Sequence, residues 1–420
     1  MIENKTKNLI LLTNIFPYGS IEPYLETEVK YYEAFFDYIY VCSLQVRRKD
    51  LESCRELPSN KFKVLPILKA SNFVYLLNAI LVLRDKNLYH ELNKLYREHR
   101  LNFKNIVQLF VYLSRANYEA RKIRNWLKSE GVLPGQGEGA LYAYRFEYQP
   151  YIGLILKQAL PNYVTLARGH GYDLYEFRRG GYIPLREYLL DNLDYTVMIA
   201  NNGINYLSEK YPEHISKVVL SRLGTTDYGL GPVPKPKDPI RVVSCSGIID
   251  LKRIELIVEA LSLINDVEVV WDHYGDGPKR GIVEALAKRN LGQNVHYKFH
   301  GNIDNSSLME VYAKVPYHVF INVSTTEGVP VSIMEALSFG IPTIATDVGG
   351  TKEIVFDKRN GLLLPADFEL KKLVEYIMEI YQDSLSSKCR FRHEARKSWE
   401  EKYSADVNYL HFISKYMMLA

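Results

Sequence analysis

Short apolar segments rich in β-branched residues alternate with amphipathic segments along most of the chain. In the first half, the strand-like segments are residues 9–13, 38–42, 141–144, 164–168 and 197–200. Helix-like segments, such as residues 22–36 and 146–160, stand between them. This alternation predicts βαβ units and therefore a parallel sheet.

The second half repeats the pattern from residue 240 to residue 364, with strand-like segments at 240–245, 267–273, 295–300, 318–323 and 342–346. Residues 224–239 (GTTDYGLGPVPKPKDP) are dense in Gly and Pro, which predicts a linker. The sequence therefore predicts an α/β fold with two Rossmann-like domains, residues 1–223 and 240–402, that face a cleft.

Bulk composition excludes several classes of protein. The chain has 420 residues, 47% hydrophobic and 24% charged, which is typical of globular domains. Its net charge of +4 is too small to indicate nucleic-acid binding. The four cysteines are scattered, which predicts neither a disulfide framework nor a zinc site. No apolar run approaches the roughly 20 residues of a membrane span, so we expect a cytoplasmic protein.

One block departs from this balance. Residues 84–130 contain eleven Lys or Arg against five acids, interleaved with apolar and aromatic residues. A solvated helix face is the ordinary interpretation of such a pattern. The alternative is a surface that binds anionic lipid at the inner face of the cell membrane.

Residues 325–350 (TTEGVPVSIMEALSFGIPTIATDVGG) carry the clearest chemical signal. Glu327 lies in a loop after a predicted strand, where ligands bind in parallel sheets, and Glu335 lies eight residues later in a predicted helix. Pro330 suits the start of that helix. The first-turn amides near Val331 and Ser332 then lack partners and can bind an anion. Taken alone, either glutamate is equally well explained as a solvated surface acid.

The whole string resembles the donor-binding signature of retaining glycosyltransferases of family 4, which have the GT-B fold. The resemblance implies that Glu327 holds donor hydroxyls, that Glu335 holds the ribose, and that the last helix, residues 403–420, returns to the first domain. The donor-binding residues that it implies in this string are Gly328, Val329, Pro330, Val331 and Glu335.

The turn after residues 240–245 supplies two cations. Lys252 and Arg253 stand at the following helix start and suit a pyrophosphate, whose developing charge they would offset. The family has an arginine where this chain has Ile248; Lys252 matches, and Arg253 is the candidate to compensate. Further resemblances place Gly247, Gly275 and His300 near the nucleotide.

In the first domain, Arg168-Gly169-His170-Gly171 follows a predicted strand. The corresponding histidine of the family lies beside the reacting sugar, so His170 is predicted as a catalytic residue with Glu327, Lys252 and Arg253. Candidate acceptor contacts are Arg168, Tyr172 and Asp173. Gly19 closes the first strand-to-helix turn and is predicted to approach the donor, although a plain tight turn explains it equally well.

The chain lacks an Asp-x-Asp motif, so we expect neither a metal nor a cofactor. The resemblance implies a retaining hexosyltransferase that moves a sugar from a nucleotide sugar, with UDP favoured, to a saccharide or lipid-linked oligosaccharide in bacterial surface polysaccharide (O-antigen, lipopolysaccharide, capsule) synthesis. A soluble transferase making glycogen, sucrose or a trehalose-like product remains open. So do a sugar-nucleotide epimerase and a non-catalytic nucleotide-sugar-binding protein.

Overall fold

The structure is a computed structural model that describes residues 6–19, 21–22, 24–70, 75, 78, 82–135, 137–386 and 388–418. The chain divides into two compact units. The first comprises Met1–Arg222 together with Asn408–Ala420, and the second comprises Leu223–Val407. The predicted linker, residues 224–239, is part of the second unit.

The first unit is built on a seven-stranded sheet in the order β3-β2-β1-β4-β5-β6-β7, in which every strand pair is parallel. Its strands are β1 (Lys7–Thr13), β2 (Tyr38–Val46), β3 (Phe62–Leu68), β4 (Glu138–Ala143), β5 (Tyr163–Gly169), β6 (Tyr195–Met198) and β7 (Val218–Leu220). Alternate residues of β1 enter different cores, Ile10 and Leu12 in one and Leu9 and Leu11 in the other. The sheet is therefore buried on both faces, as parallel sheets require.

The α-helices of the first unit whose bounds lie within the described residues, before the chain end, are α1 (Leu25–Glu28), α2 (Lys86–Arg97), α3 (Phe103–Ser129), α4 (Gln149–Lys157), α5 (Gly171–Leu174), α6 (Arg186–Asn192) and α7 (Asn201–Lys210). The helix predicted over 22–36 is a short α1 followed by a 3₁₀ helix, Val29–Ala34. The predicted basic block forms α2 and α3.

The second unit holds a six-stranded parallel sheet in the order β10-β9-β8-β11-β12-β13. Its strands are β8 (Ile240–Cys245), β9 (Val269–Tyr274), β10 (Val295–Gly301), β11 (Val319–Asn322), β12 (Thr343–Thr346) and β13 (Gly361–Leu364). Its helices are α8 (Ile254–Leu261), α9 (Arg280–Asn290), α10 (Asn305–Lys314), α11 (Val331–Ser338), α12 (Leu370–Ser384) and α13 (Arg390–Lys402). The predicted fold class, with two α/β domains on parallel sheets, is confirmed.

The chain end passes from one unit to the other. Helix α14 (Ala405–Phe412) is followed by a π-helical turn, Ile413–Met417. Phe412, Ile413 and Met417 are buried in the core of the first unit with Leu9 and Leu11. The predicted return of the C-terminal helix to the first domain is confirmed.

The strand order of the second unit reverses direction between β8 and β11, which are neighbours in the sheet although β9 and β10 lie between them in sequence. Such a topological switch point separates the loops at the carboxyl ends of two adjacent strands and opens a crevice for ligands. The loops after β8 and β11 are those that carry Lys252 and Glu327.

Candidate functional site

Lys252 and Glu327 form an ion pair at this switch point. Lys252 ends a 3₁₀ helix, Asp250–Lys252, after β8, and its Nζ lies 2.6 Å from Oε1 of Glu327. The same oxygen accepts hydrogen bonds from Nδ2 of Asn322 (3.1 Å) and Oγ of Ser324 (2.6 Å). Three donors therefore fix one carboxylate oxygen of Glu327, and the side chain is only 10% exposed.

Sequence reasoning missed Asn322 and Ser324. Asn322 is the last residue of β11. The Ser324 hydroxyl lies 2.6 Å from both the Asn322 amide oxygen and Oε1 of Glu327, so its single proton is shared between these two acceptors. The available signal was a polar residue ending an otherwise apolar strand. Such a residue lies at the ligand edge of a parallel sheet.

The Gly349-Gly350 pair after β12 shapes the Glu327 loop. A Cβ atom on Gly349, whose φ is +56°, would lie 1.9 Å from the backbone oxygen of Glu327. One on Gly350 would lie 2.2 Å from the oxygen of Gly328, to which the Gly350 amide donates at 3.0 Å. Only glycine fits at either position, because the two backbones are in contact.

Helix α11 begins as predicted. Pro330 is the N-cap residue and Val331 the first helical residue. The backbone N–H groups of Val331 and Ser332 therefore have no acceptor within the helix. Glu335, one turn further, accepts a hydrogen bond from Nδ2 of Asn305 at 2.7 Å. Burial raises the pKa of Glu335 to about 7, although the Asn305 hydrogen bond opposes the shift.

Backbone contacts hold together the loops after β8, β9 and β10. The Ser246 amide donates to Tyr274 O at 2.9 Å, and the Gly275 amide donates to Gly301 O at 2.8 Å. Gly275 has a φ of +132°, and a Cβ there would lie 1.9 Å from Ser246 O. The predicted donor-binding positions Gly247, Gly275 and His300 therefore lie on three neighbouring segments, of which the one at the end of β9 is bonded to the other two.

His300 has a side-chain partner that the sequence did not indicate. Its Nε2 lies 2.6 Å from Oδ1 of Asp272, and its ring stacks on Tyr274 at 4.4 Å. The second Asp272 oxygen accepts from the hydroxyl of Tyr317 at 2.9 Å. The imidazole is therefore held on one side by an acid and on one face by an aromatic ring.

Arg253 lies next to Lys252, but its guanidinium is directed differently. It donates to the carbonyl oxygens of Val323 (2.7 Å), Ala366 (2.8 Å) and Ser324 (3.4 Å). These bonds brace the β11 loop and occupy the groups that would bind a diphosphate. Ile248, at the position of the family's arginine, is 1% exposed and packs in the core. Lys252 is thus the better placed of the two predicted cations.

In the first unit, His170 follows β5 and caps the short helix α5. Its backbone N–H donates to Oδ1 of Asp173 at 2.5 Å, and its ring lies 4.8 Å from that of Tyr144. Nδ1 of His170 lies 3.7 Å from Oδ2 of Asp173, and neither buried ring nitrogen makes a hydrogen bond to a residue that the structure describes. Burial lowers the pKa of His170 despite the nearby Asp173, so the imidazole is neutral at pH 7.

Two of the predicted acceptor contacts are corrected. Arg168 is fully buried, with NH1 2.9 Å from Oε2 of Glu28 and its guanidinium 4.2 Å from the Phe412 ring centre. Asp173 is also fully buried and accepts from the backbone of Phe146 at 3.1 Å. Neither side chain can reach an acceptor from these positions. Tyr172 is 59% exposed and stays a prediction.

Gly19 lies in the first unit, in the loop after β1. It has a φ of +61°, and its amide donates to Ser53 O at 2.8 Å. The anion-binding amides of this loop are already occupied, because the carboxylate of Glu22 accepts from the N–H groups of Asn14, Ile15 and Phe16, each at 3.1 Å. The donor role of Gly19 stays a prediction, and the Gly19 amide itself is already bonded to Ser53.

Across the described parts of the chain, no group of three His, Cys, Asp or Glu side chains could hold a metal ion. Among those same residues, no helix is both long enough and apolar enough to cross a membrane.

Residues 231–400 match the model of the family glycosyl transferases group 1. A 224-residue stretch is 25% identical to the GtfA subunit of the UDP-N-acetylglucosamine–peptide N-acetylglucosaminyltransferase of Streptococcus pneumoniae. That match covers 52% of this chain and 42% of the relative, so it spans less than half of that protein.

Solved structures match over nearly the whole chain. Sucrose-phosphate synthase from Thermosynechococcus elongatus superposes with a TM-score of 0.67 at 17% identity and covers 98% of both chains. The chain has the GT-B fold. A second GT-B neighbour is the lipopolysaccharide outer core galactosyltransferase WaaB, with a TM-score of 0.64 at 13% identity over 97% of this chain and 99% of WaaB. A third is HepE from Anabaena in complex with UDP-glucose, with a TM-score of 0.62 at 13% identity over 97% of this chain and 98% of HepE. At these identities the neighbours establish the fold, and with the family match they support a glycosyltransferase.

Proposed function

We propose that this chain is a retaining, metal-independent glycosyltransferase that moves a hexosyl unit from a nucleotide sugar to a saccharide acceptor. The observation that carries the proposal is the Glu327 carboxylate. It is fixed through one oxygen by Lys252, Asn322 and Ser324, immediately before a helix whose first amides point away from the helix. An anchored acid beside a cation and an anion-binding helix start suits a ligand that carries hydroxyls and a diphosphate.

The residues take separate parts in this transfer. Lys252 and the α11 amides would offset the charge of the departing diphosphate, while Glu327 orients donor hydroxyls through its second oxygen. Glu335 would accept from the ribose. The bond between the anomeric carbon and the diphosphate oxygen breaks, and a bond to the acceptor oxygen forms on the same face. The acceptor proton passes to the departing diphosphate, so the protein needs no strong base. Neutral His170 would position the substrates rather than remove a proton from the acceptor.

The donor and the pathway belong to the same proposal. UDP is favoured as the nucleotide of the donor, because the matched GtfA relative is named for UDP-N-acetylglucosamine and the HepE structure contains UDP-glucose. A role in bacterial surface polysaccharide synthesis is supported by the likeness to WaaB, which is named for the lipopolysaccharide outer core. The acceptor would be lipid-linked, and the protein would work at the inner face of the cell membrane.

One surface of the first unit supports the membrane part of the proposal. Phe103, Val107 and Val111 lie four residues apart along α3 and are all exposed, Phe103 to 83%. The exposed Lys104 lies beside them. Apolar side chains flanked by a cation suit the boundary between lipid headgroups and acyl chains.

The test is a calorimetric titration of the full chain with UDP, GDP, ADP and CMP, with and without EDTA. The variants are Glu335→Ala and, as a matched control on the neighbouring helix, Glu310→Ala, which removes an exposed acid that pairs with Lys314. We expect one nucleoside diphosphate to bind, EDTA to have no effect, and Glu335→Ala alone to weaken binding.

A second assay follows the sugar nucleotide itself. Release of free nucleoside diphosphate together with a glycosylated acceptor supports transfer, and conversion to an isomeric sugar nucleotide would indicate an epimerase. Absence of nucleotide binding would contradict the proposal and leave a non-catalytic GT-B protein as the better account.

A further inference from the structure

A cavity of about 650 Å³ lies in the first unit, beside the loop after β1 that carries Gly19. It sits at the carboxyl edge of the sheet. Three of its lining residues, Asn14, Arg47 and Lys69, are the residues directly after β1, β2 and β3. These strands are neighbours in the order β3-β2-β1. Adjacent parallel strands therefore deliver three polar side chains to one concave surface, at the edge where parallel sheets bind ligands.

The cavity is positively charged. Arg47, Lys49 and Lys69 line it, with Asp50 as the acidic side chain among its lining residues. Asp50 is already engaged, since its Oδ2 accepts from the Arg47 backbone N–H at 2.9 Å and caps the 3₁₀ helix Arg48–Glu52. No ion pair joins any of the three cations to another described residue. The lining therefore carries three cations against one acid, and this net positive charge favours an anionic ligand.

The wall of the cavity also offers groups for hydroxyls. The Oδ1 oxygen of Asn14 accepts from Gln45 Nε2 at 3.1 Å and from the buried Gln149 Nε2 at 2.7 Å. These bonds leave the Asn14 Nδ2 donors without a partner among the described residues. Amide groups donate to and accept from sugar hydroxyls, and the volume lies within the range of small-molecule sites.

Glu22 makes this wall rigid. Its carboxylate bonds the backbone N–H groups of Asn14, Ile15 and Phe16, and Arg145 Nε lies 3.4 Å away. This internal acid satisfies the amides of the β1 loop, so an external anion meets the side-chain cations instead.

We propose that this cavity binds a saccharide that carries an anionic group, either a carboxylate or a phosphate. Arg47, Lys49 and Lys69 hold the anion, and Asn14 and Gln45 hold hydroxyls. The planar guanidinium of Arg47 can donate two parallel hydrogen bonds to either group. The further statement that this ligand is the acceptor rests on the proposed transferase function.

The test is calorimetric binding to the full chain without any nucleotide. The probes are glucuronate, glucose 6-phosphate, glucose and inorganic phosphate. The variant is Arg47→Gln with Lys49→Gln and Lys69→Gln, and the matched control is Arg48→Gln, since Arg48 is exposed in the same segment and does not line the cavity. Thermal unfolding and UDP binding of each variant report whether the rest of the molecule is intact.

We expect at least one of the two anionic sugars to bind roughly tenfold or more tightly than glucose and inorganic phosphate, because only the anionic sugars offer both a charge to the cations and hydroxyls to the amides. The triple variant loses this preference, Arg48→Gln retains it, and added NaCl weakens binding. Equal binding of glucose and the anionic sugars overturns the proposal. Three other results would also overturn it: phosphate that binds as tightly as glucose 6-phosphate, an unchanged affinity for the anionic sugars in the triple variant, or no binding of either anionic sugar at millimolar concentration.

The two proposals fail separately. A chain that binds UDP but no anionic sugar keeps the transferase proposal and loses this one. A chain that binds anionic sugars but no nucleotide keeps the cavity assignment and loses the transferase function.

Discussion

One oxygen of Glu327 accepts from Lys252, Asn322 and Ser324, which leaves the other oxygen without a partner among the described residues. A carboxylate held in this way loses little rotational freedom when a substrate arrives, because its own side chain is already ordered. The ion pair with Lys252 also holds this largely buried side chain in place. The charge of Glu327 is therefore expected to matter more for the sugar than for the nucleotide.

Glu327→Gln tests this expectation. The amide oxygen can still accept from the three donors, but the charge is lost. Since a hydrogen bond to a charged group contributes about 1.5–3 kcal/mol, we expect sugar transfer to fall by about ten- to a hundredfold while UDP affinity changes little. Lys252→Met should weaken UDP binding by a comparable factor. Steady-state kinetics measures the loss of transfer, and calorimetry measures UDP affinity. The control is Lys279→Met, which removes a lysine that pairs with the exposed Asp250. Equal loss of UDP affinity in Glu327→Gln would contradict the assignment.

Glu335 makes stability depend on pH. Its pKa is raised to about 7 in the folded chain, so the folded state binds a proton that the unfolded state releases near its ordinary pKa of 4.5. Stability from this group is therefore complete below about pH 4.5 and is lost as pH rises through 7. Glu335→Gln cannot titrate.

We expect Glu335→Gln to gain stability relative to the parent chain between pH 5 and pH 8, by on the order of 1 kcal/mol. Urea unfolding at several pH values measures it, with Glu310→Gln as the control. Parallel pH profiles for Glu335→Gln and the parent chain would show that the carboxyl is not perturbed.

At the scale of single residues, the sequence indicated loop positions better than side-chain partners. Glu327, Lys252 and Pro330 could be placed because turn chemistry and strand ends are local signals. The burial of Arg168 could not be predicted, because its partner Glu28 is 140 residues away in the chain and a buried charged pair does not change the hydrophobic periodicity of the sequence. The orientation of Arg253 could not be predicted either, because it donates to backbone carbonyl groups, which every residue possesses.

At the scale of elements, the fit of two loops against each other decides where Glu327 points. Gly349→Ala would place a Cβ 1.9 Å from Glu327 O at a φ of +56°, whereas Gly328→Ala meets no atom within 4 Å. We expect Gly349→Ala to destabilise the chain by about 1–3 kcal/mol, and Gly328→Ala by much less. Denaturant unfolding compares the two. Equal effects would mean that the close approach of the loops is not maintained.

Helix α3 has a prediction of its own. Phe103→Ser with Val107→Ser and Val111→Ser removes exposed apolar side chains and should leave folding intact, because none of the three is in the core. We expect the parent chain to sediment with vesicles containing phosphatidylserine more than with pure phosphatidylcholine, and the variant to lose most of this binding. Ile282→Ser, at an exposed apolar position of α9, is the control. Binding that does not depend on anionic lipid would contradict the membrane role.

The elements themselves were predictable where the pattern was strong. Strand β8 was predicted with the bounds that the structure has, and the alternation of strands and helices predicted two parallel sheets. Strand β3 was missed because Pro66 interrupts its sequence, FKVLPIL. It is an edge strand, where a proline is tolerated since one side of the strand needs no hydrogen bonds.

At the scale of the whole molecule, each unit has its own hydrophobic core, so a ligand that binds one unit stabilises that unit directly. The proposed nucleotide contacts all lie in the second unit. At a concentration one hundred times its dissociation constant, UDP would stabilise this unit by about 2.7 kcal/mol. Hydrogen exchange can locate the effect, because it reports local opening along the chain.

We therefore expect UDP to slow amide exchange most in residues 246–253 and 325–335. Residues 14–16 should change little, since their amides are already bonded to Glu22. The measurement is hydrogen–deuterium exchange of the full chain with and without UDP, repeated with Glu335→Ala, in which the slowing should largely disappear. Slowing centred on residues 14–19 would instead place the nucleotide on the first unit and would favour the Gly19 loop over the Glu327 loop as the donor site.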